Sequence, residues 1–193
     1  TMKPQLGDTI LNRYTLVSSL REEPGIQAWK ANDRVLAKDC QLFIITDRSA
    51  FAAIDKLAGR IAATRPDRVI PILKYRMESD VLLIVMPVDS GQCLTDYMVD
   101  TAKPLSYSAI RSIIGECADV LREVIADTPS GIVITTDTVR VTTSGVQIAD
   151  APCATMLADT SATDLRTDGP ERYAIRQLAA LLYTLLTLAL IHI

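Results

Sequence analysis

At 193 residues the chain is long enough for one ordinary domain or two small lobes. Apolar residues make up 49% and charged residues 22%, which excludes the disordered class. The net charge of −3, with no Lys/Arg stripe, argues against nucleic acid, which needs clustered cations on its phosphates.

Arg13 to Leu20 mixes apolar and β-branched residues and reads as a strand. Arg21-Glu22-Glu23-Pro24-Gly25 reads as a turn, and Ile26 to Ala31 returns as the second strand of a hairpin. Cys40 to Thr46 (CQLFIIT) has the length and composition of a buried strand. Asp47 offers an N-cap, and Phe51, Ile54, Leu57, Ala58 and Ile61 give Ala50 to Ala63 a helical apolar face. Strands are expected over Val69–Lys74 and Val81–Met86, then a break at Ser90-Gly91 and a short helix to Met98. Ser106 is the expected N-cap of the strongest helix, with Ile110, Ile113, Ile114, Cys117, Leu121, Val124 and Ile125 on one face. Pro129-Ser130-Gly131 ends it. Short strands are expected over Ile132–Thr135, Val139–Thr142 and Val146–Ala149, then a polar loop from Pro152 to Pro170. The last helix is expected from about Tyr173 to the end. Leu178 to Ile193 is almost wholly apolar yet shorter than the roughly 20 residues of a membrane span, so a buried core helix is expected. A membrane contact stays open.

The four cysteines, at 40, 93, 117 and 153, form no CxxC, and their scatter favours reduced core thiols. The only histidine is His192, so a His-based metal site or a Ser/Cys–His pair is not expected. The polar opening Thr1-Met2-Lys3-Pro4 lacks a signal-peptide pattern, and a cytoplasmic location is expected.

The order hairpin, strand, helix, two strands, then a mainly helical part with a small strand cluster resembles a bacterial Ser/Thr protein kinase domain. "RYTLVSSL…AWKAND" (13–33) resembles the first two kinase strands. "RVIPILKY…LLIVMPVDSGQCLTDYM" (68–98) resembles strands four and five, the hinge and the next helix, with Met86 as gatekeeper and Gly91 and Leu94 matching the following pattern. "GIV" (131–133) resembles the approach to the catalytic loop, and "VQIAD" (146–150) the strand entering the Asp-Phe-Gly motif. "AIRQLAALLYTLLT" (174–187) resembles the core helix of the large lobe. The resemblance implies an α+β, two-lobed kinase-like fold. Its N-lobe spans 10–88 with five strands and one helix, and its shortened C-lobe spans 89–193.

Phosphoryl transfer needs a glycine loop, a strand Lys paired with a helix Glu, a catalytic Asp, and Asn and Asp on Mg²⁺. In the resemblance the glycine-loop positions fall at Arg21, Glu23 or Pro24, and Ile26, with Gly25 out of register. Phe43 stands for the lysine and Gln41 for the small residue under the adenine; Lys38 is the nearest alternative cation. Leu57, flanked by Asp55 and Lys56, stands for the helix glutamate. Ile134-Thr135-Thr136 occupies the His-Arg-Asp position, so Thr136 replaces the base and Asp137 is displaced by one residue. Asp150, in Asp150-Ala151-Pro152, is retained. Ala174 replaces the aspartate that braces the catalytic loop. A chain without these groups is expected to be a pseudokinase with no cofactor.

"AND" (31–33), "VRV" (139–141), "CATMLAD" (153–159) and "AIRQLAALLYTLLT" (174–187) are similar to the intracellular pseudokinase domain of actinobacterial MviN/MurJ-type lipid II flippases. That resemblance implies a regulatory role in peptidoglycan synthesis. An active Ser/Thr kinase would phosphorylate a threonine, which a forkhead-associated domain would bind. It places that threonine at Thr155, with Thr160, Thr163 and Thr167 competing, and it implies a membrane-anchored parent protein. The last helix is a candidate dimer contact. Two alternatives stay open: a residual ATP-binding protein or atypical kinase, and an unrelated α+β interaction domain.

Overall fold

The run Cys40-Gln41-Leu42-Phe43-Ile44-Ile45 is buried without a break, which requires a strand covered on both faces. It lies in β4 (Lys38–Ile45) of a six-stranded sheet in the computed structural model, which describes residues 3–78, 80–99, 104–125, 132–157 and 169–191. The other strands are β1 (Thr9–Ile10), β2 (Tyr14–Glu23), β3 (Ile26–Asp33), β5 (Lys74–Glu78) and β6 (Val81–Pro87). Every pairing is antiparallel, in the order β1-β2-β3-β4-β6-β5. The protein is thus of mixed α and β composition built on antiparallel sheet.

The chain divides into two compact units. The first holds Thr1–Thr64 and Pro71–Val88; the second holds Arg65–Ile70 and Asp89–Ile193. In the first unit, Tyr14, Leu16, Trp29, Ala31, Cys40, Leu42, Ile44, Leu83 and Val85 form a core on one side of the sheet. Asp47 caps a 3-10 turn (Arg48–Ala50) by accepting from the Ser49 amide at 3.0 Å, and this turn leads into α1 (Phe51–Thr64). Helix α1 buries Ile54, Ala58 and Ile61 and packs on β5 and β6.

Two expectations about this unit need correction. The first hairpin strand runs on to Glu23, because Glu22 pairs with Gln27 and Glu23 with Ile26; only Pro24-Gly25 turns. Gly25 has φ +80°, and a Cβ there would lie 2.6 Å from Asp47 Cβ, so the turn needs a glycine twice over. The strand expected at Val69–Lys74 lies instead at Lys74–Glu78. Ile70 N donates to Ile148 O at 2.9 Å in the second unit, and Pro71 has no amide to donate, so the ladder starts later.

The second unit contains a three-stranded sheet, β7 (Gln92–Cys93), β8 (Val139–Thr142) and β9 (Gly145–Ile148). Its helices are α2 (Leu94–Val99), α3 (Tyr107–Val124), α4 (Ala154–Leu157) and α5 (Pro170–Ile191). Ser106 caps α3 by accepting from the Ala109 amide at 3.1 Å, and the face Ile110, Ile113, Cys117, Val120, Leu121 and Val124 is buried. The α4 turn interrupts the loop expected over Pro152–Pro170, because Ala154 and Leu157 find buried positions one turn apart. Helix α5 is not the buried core helix expected. Tyr173, Ala174, Gln177, Leu181 and Leu185 are buried along one face, which packs on α3, and the opposite face is exposed.

The β3 end of the first sheet is tied by an ion pair. Arg13 Nε and Nη2 donate to the two carboxylate oxygens of buried Asp33, each at 2.8 Å, and the guanidinium lies 5.2 Å from the Tyr14 ring centre. Asp33 also accepts from the amides of Val35 and Leu36, which fixes the turn after β3. The Arg13 hydrogen bonds hold the Asp33 carboxyl at about 2, against an ordinary 3.8. A carboxylate lowered in this way stabilises the fold above its unfolded value and loses that contribution as pH falls through the folded value. The urea midpoint should therefore fall between about pH 4 and about pH 2 more steeply for the native chain than for Asp33→Asn. Parallel pH profiles for the two proteins would assign the acid sensitivity to other groups.

Candidate functional site

In the first unit, cross-strand pairing places Ala28, Phe43, Ile84 and Tyr75 in one row over β3, β4, β6 and β5. Phe43 is 1% exposed, with Ala28 and Ile84 as its buried lateral neighbours. The row offers no carboxylate. Leu57 on α1 is half-buried, not a core residue as its spacing suggested, because the helix turns Ile54, Ala58 and Ile61 inward. Asp55 beside it is half-buried and Lys56 is exposed. One row over, Gln41 pairs with Lys30 and with Met86; Gln41 and Met86 are both buried. Lys30 is held by Asp39 at 3.3 Å, and Lys38 is exposed.

The hairpin shows no glycine cradle. Glu22 accepts from Gln27 Nε2 at 3.3 Å, and Glu23 lies 3.7 Å from Arg21. Glu22, Glu23, Gly25 and Ile26 line a depression of about 550 Å³, closed on one side by Lys3 and Pro4. Two carboxylates on its wall disfavour a phosphate there.

In the second unit, Ile132 to Thr135 forms no strand, contrary to expectation. Its backbone is satisfied by side chains instead. Gln177 on α5 accepts from Ile134 N at 2.6 Å and donates from Nε2 to Ile132 O at 3.3 Å. Thr138 Oγ1 donates to Val133 O at 2.7 Å and accepts from Thr135 N at 2.9 Å. Gln177 is 5% exposed. Ala174, the position expected to have lost a brace, is buried one turn earlier, so a brace exists and comes from a residue that motif matching passed over. The signal was present: one amide side chain within the apolar run of α5.

Thr136 is half-buried, and its carbonyl accepts from Thr95 N at 3.0 Å. Asp137 is exposed and accepts from Thr95 Oγ1 at 2.7 Å, which ties it to the start of α2. Cys93 Sγ donates to Thr136 O at 3.4 Å, and Arg140 bridges Asp89, at 2.9 Å, to the Asp137 carbonyl, at 2.6 Å. Gly91 permits this close packing, since a Cβ there would lie 2.3 Å from Val141 O. This corner is held by backbone and side-chain hydrogen bonds.

Asp150 is 9% exposed at φ +64°, just after β9, and its carbonyl accepts from Cys153 N at 2.6 Å. Among the described residues, no three His, Cys, Asp or Glu side chains gather as a metal site. Thr155 is half-buried in α4 between buried Ala154 and half-buried Met156. Thr160, Thr163, Thr167 and His192 lie outside the described residues. Burial pushes the Cys40 thiol up to about 11 and Cys117 to about 12, and raises Cys153 too, so these three are poor nucleophiles.

No family model and no curated protein matches the chain.

Gln177 generates a direct prediction. Gln177→Leu strips both partners from the Ile132–Ile134 backbone and should lower stability by roughly 2–5 kcal/mol in chemical unfolding. Gln177→Glu, which keeps an acceptor for the Ile134 amide and loses the donor, should also destabilise. A leucine variant as stable as the native chain would show the brace to be dispensable.

Proposed function

We propose that this chain is a pseudokinase-type regulatory domain that binds a protein partner in a phosphothreonine-dependent manner and transfers no phosphate. The observation that carries the reading is Phe43, sealed between Ala28 and Ile84 where the kinase resemblance places the phosphate-binding lysine. Helix α1 lies between β4 and β5 in sequence, and β2, β3, β4, β6 and β5 follow in the sheet, an arrangement consistent with a kinase N-lobe. Transfer depends on charge stabilisation around the phosphates, and losing one such stabiliser typically costs about 10²–10³ in rate. Here the lysine, glutamate and base positions carry Phe43, Leu57 and Thr136, with Asp150 alone retained.

Residual nucleotide binding is the competing reading, and a thermal-shift titration separates the two. ATP with Mg²⁺ should leave the melting temperature unchanged. A dose-dependent rise would favour nucleotide binding. Phe43→Lys should not restore ATP binding and should destabilise the chain by roughly 3 kcal/mol or more, because the ammonium would sit unpaired in an apolar row.

In this reading an active Ser/Thr kinase phosphorylates Thr155, and a forkhead-associated domain binds the phosphothreonine within the control of peptidoglycan synthesis. The domain would then work at the cytoplasmic face of a membrane-anchored MviN/MurJ-type parent. The phosphate adds roughly two negative charges, suited to an arginine cluster on the partner. Since α4 half-buries Thr155, the kinase would have to engage it as that single turn opens. After treatment with such a kinase, Thr155→Ala should weaken forkhead-associated domain binding by roughly a hundredfold or more, as loss of two or three charge-assisted hydrogen bonds implies. Unchanged binding would move the phosphosite elsewhere.

A further inference from the structure

Helix α5 is 22 residues long, and its two faces are sharply different. The face buried on its own unit carries Tyr173, Ala174, Gln177, Leu181 and Leu185. The opposite face carries Ile175, Ala179, Leu182, Tyr183, Leu186 and Leu190, within an arc of about 100° at 3.6 residues per turn. Ile175 is 66% exposed, Leu182 36%, Tyr183 74% and Leu190 62%. The steps from Ile175 to Ala179, Leu182 and Leu186 are four, three and four residues, the spacing of a helix–helix seam.

We infer that this face is a symmetric dimer contact in which α5 of one copy packs antiparallel on α5 of a second copy. The stripe is self-complementary about the Leu182–Tyr183 midpoint. Turned end for end, Ile175 faces Leu190, Ala179 faces Leu186 and Leu182 faces Tyr183, so each residue meets its counterpart reciprocally, as a twofold interface requires. The small Ala179 opposite the large Leu186 lets the two surfaces interdigitate. Charge selects the antiparallel sense. A parallel pair would set Arg172 and Arg176 against their own copies. An antiparallel pair carries them toward the partner's carbonyl-rich C-terminal turn, where a cation is favoured.

The area is sufficient for a weak dimer. With about 100 Å² per aliphatic and about 200 Å² per aromatic side chain, the four exposed large residues offer about 300 Å² per copy. Ala179, Leu186 and the arginine stems bring the total for both copies to about 1,000 Å², the lower limit for a specific interface. A membrane span is the less favoured occupant. The most apolar 18-residue window within Pro170–Leu190 has a mean hydropathy of 1.5, enough for a span by length and composition, but one face is already committed to α3. The inference is independent of Thr155 and of any kinase relationship.

Sedimentation velocity of the whole chain, from low micromolar to near-millimolar concentration, tests it. The chain should pass from monomer to dimer, and Leu182→Glu and Ala179→Glu should each keep it monomeric with an unchanged circular dichroism spectrum. Ile175→Glu alone should weaken the dimer, and Ile175→Glu with Leu190→Lys should restore it, since only antiparallel packing brings those positions together. A native chain that stays monomeric throughout would overturn the proposal. So would a dimer indifferent to both glutamate variants, failure of the paired charges to rescue, or flotation with phospholipid vesicles in the absence of self-association.

Discussion

Burial of β4 on both faces is the constraint on which the first unit depends. A strand covered on both sides must be flanked by strands on both edges and roofed on both faces. Strands β3 and β6 supply the edges, pairing with β4 residue by residue from Ile26↔Ile45 to Cys40↔Pro87. Cys40, Leu42 and Ile44 share the core that Tyr14, Leu16 and Trp29 complete. Because Cys40–Ile45 is apolar on both faces apart from Gln41, it carries little register information itself, and a slip by one residue would largely exchange one apolar face for the other. The register is held at the ends of its neighbours, by the Pro24-Gly25 turn at one end of β3 and the Arg13–Asp33 pair at the other.

The same burial shapes the chemistry. A lysine at position 43 would need a carboxylate partner in an apolar row, and α1 presents half-buried Leu57 at the position where the resemblance expects one. Under the proposed kinase relationship each substitution suits the other: an aromatic ring would stand for a buried charge, and an apolar side chain for its counter-charge. Replacing both partners of a buried ion pair with apolar groups is close to neutral, whereas losing one is costly. The position therefore tolerates joint loss of the pair far better than partial loss.

In the second unit the corresponding lesson concerns backbone groups. The chain from Ile132 to Thr135 has no neighbouring strand, and its amides and carbonyls are met by Gln177 and Thr138. Thr95, Asp137, Arg140 and Asp89 hold the adjoining corner in the same way. Polar residues around Ile132–Thr136 thus serve geometry.

Much of this was legible in the sequence because it is local. The apolar run of β4, the Ser106 cap and the apolar face of α3 each follow from neighbouring residues, and the structure places them as periodicity and capping chemistry require. The misplaced strand at Val69–Lys74 and the strand expected at Ile132–Thr135 have a common cause. Both segments are β-branched and apolar, but pairing is decided by which backbone lies alongside, and here Ile148 and the Gln177 side chain took those roles. That Phe43, Leu57 and Thr136 stand where the kinase resemblance places a lysine, a glutamate and a base could be read from residue identity alone. Which backbone groups Gln177 braces, that Thr155 sits in a helical turn, and that α5 leaves one apolar face bare could not, because each depends on contacts between residues far apart in the chain. Sequence by itself determined the elements that local periodicity and capping specify; tertiary structure alone decided which segments pair, which polar groups are satisfied by which partners and which apolar surface remains uncovered.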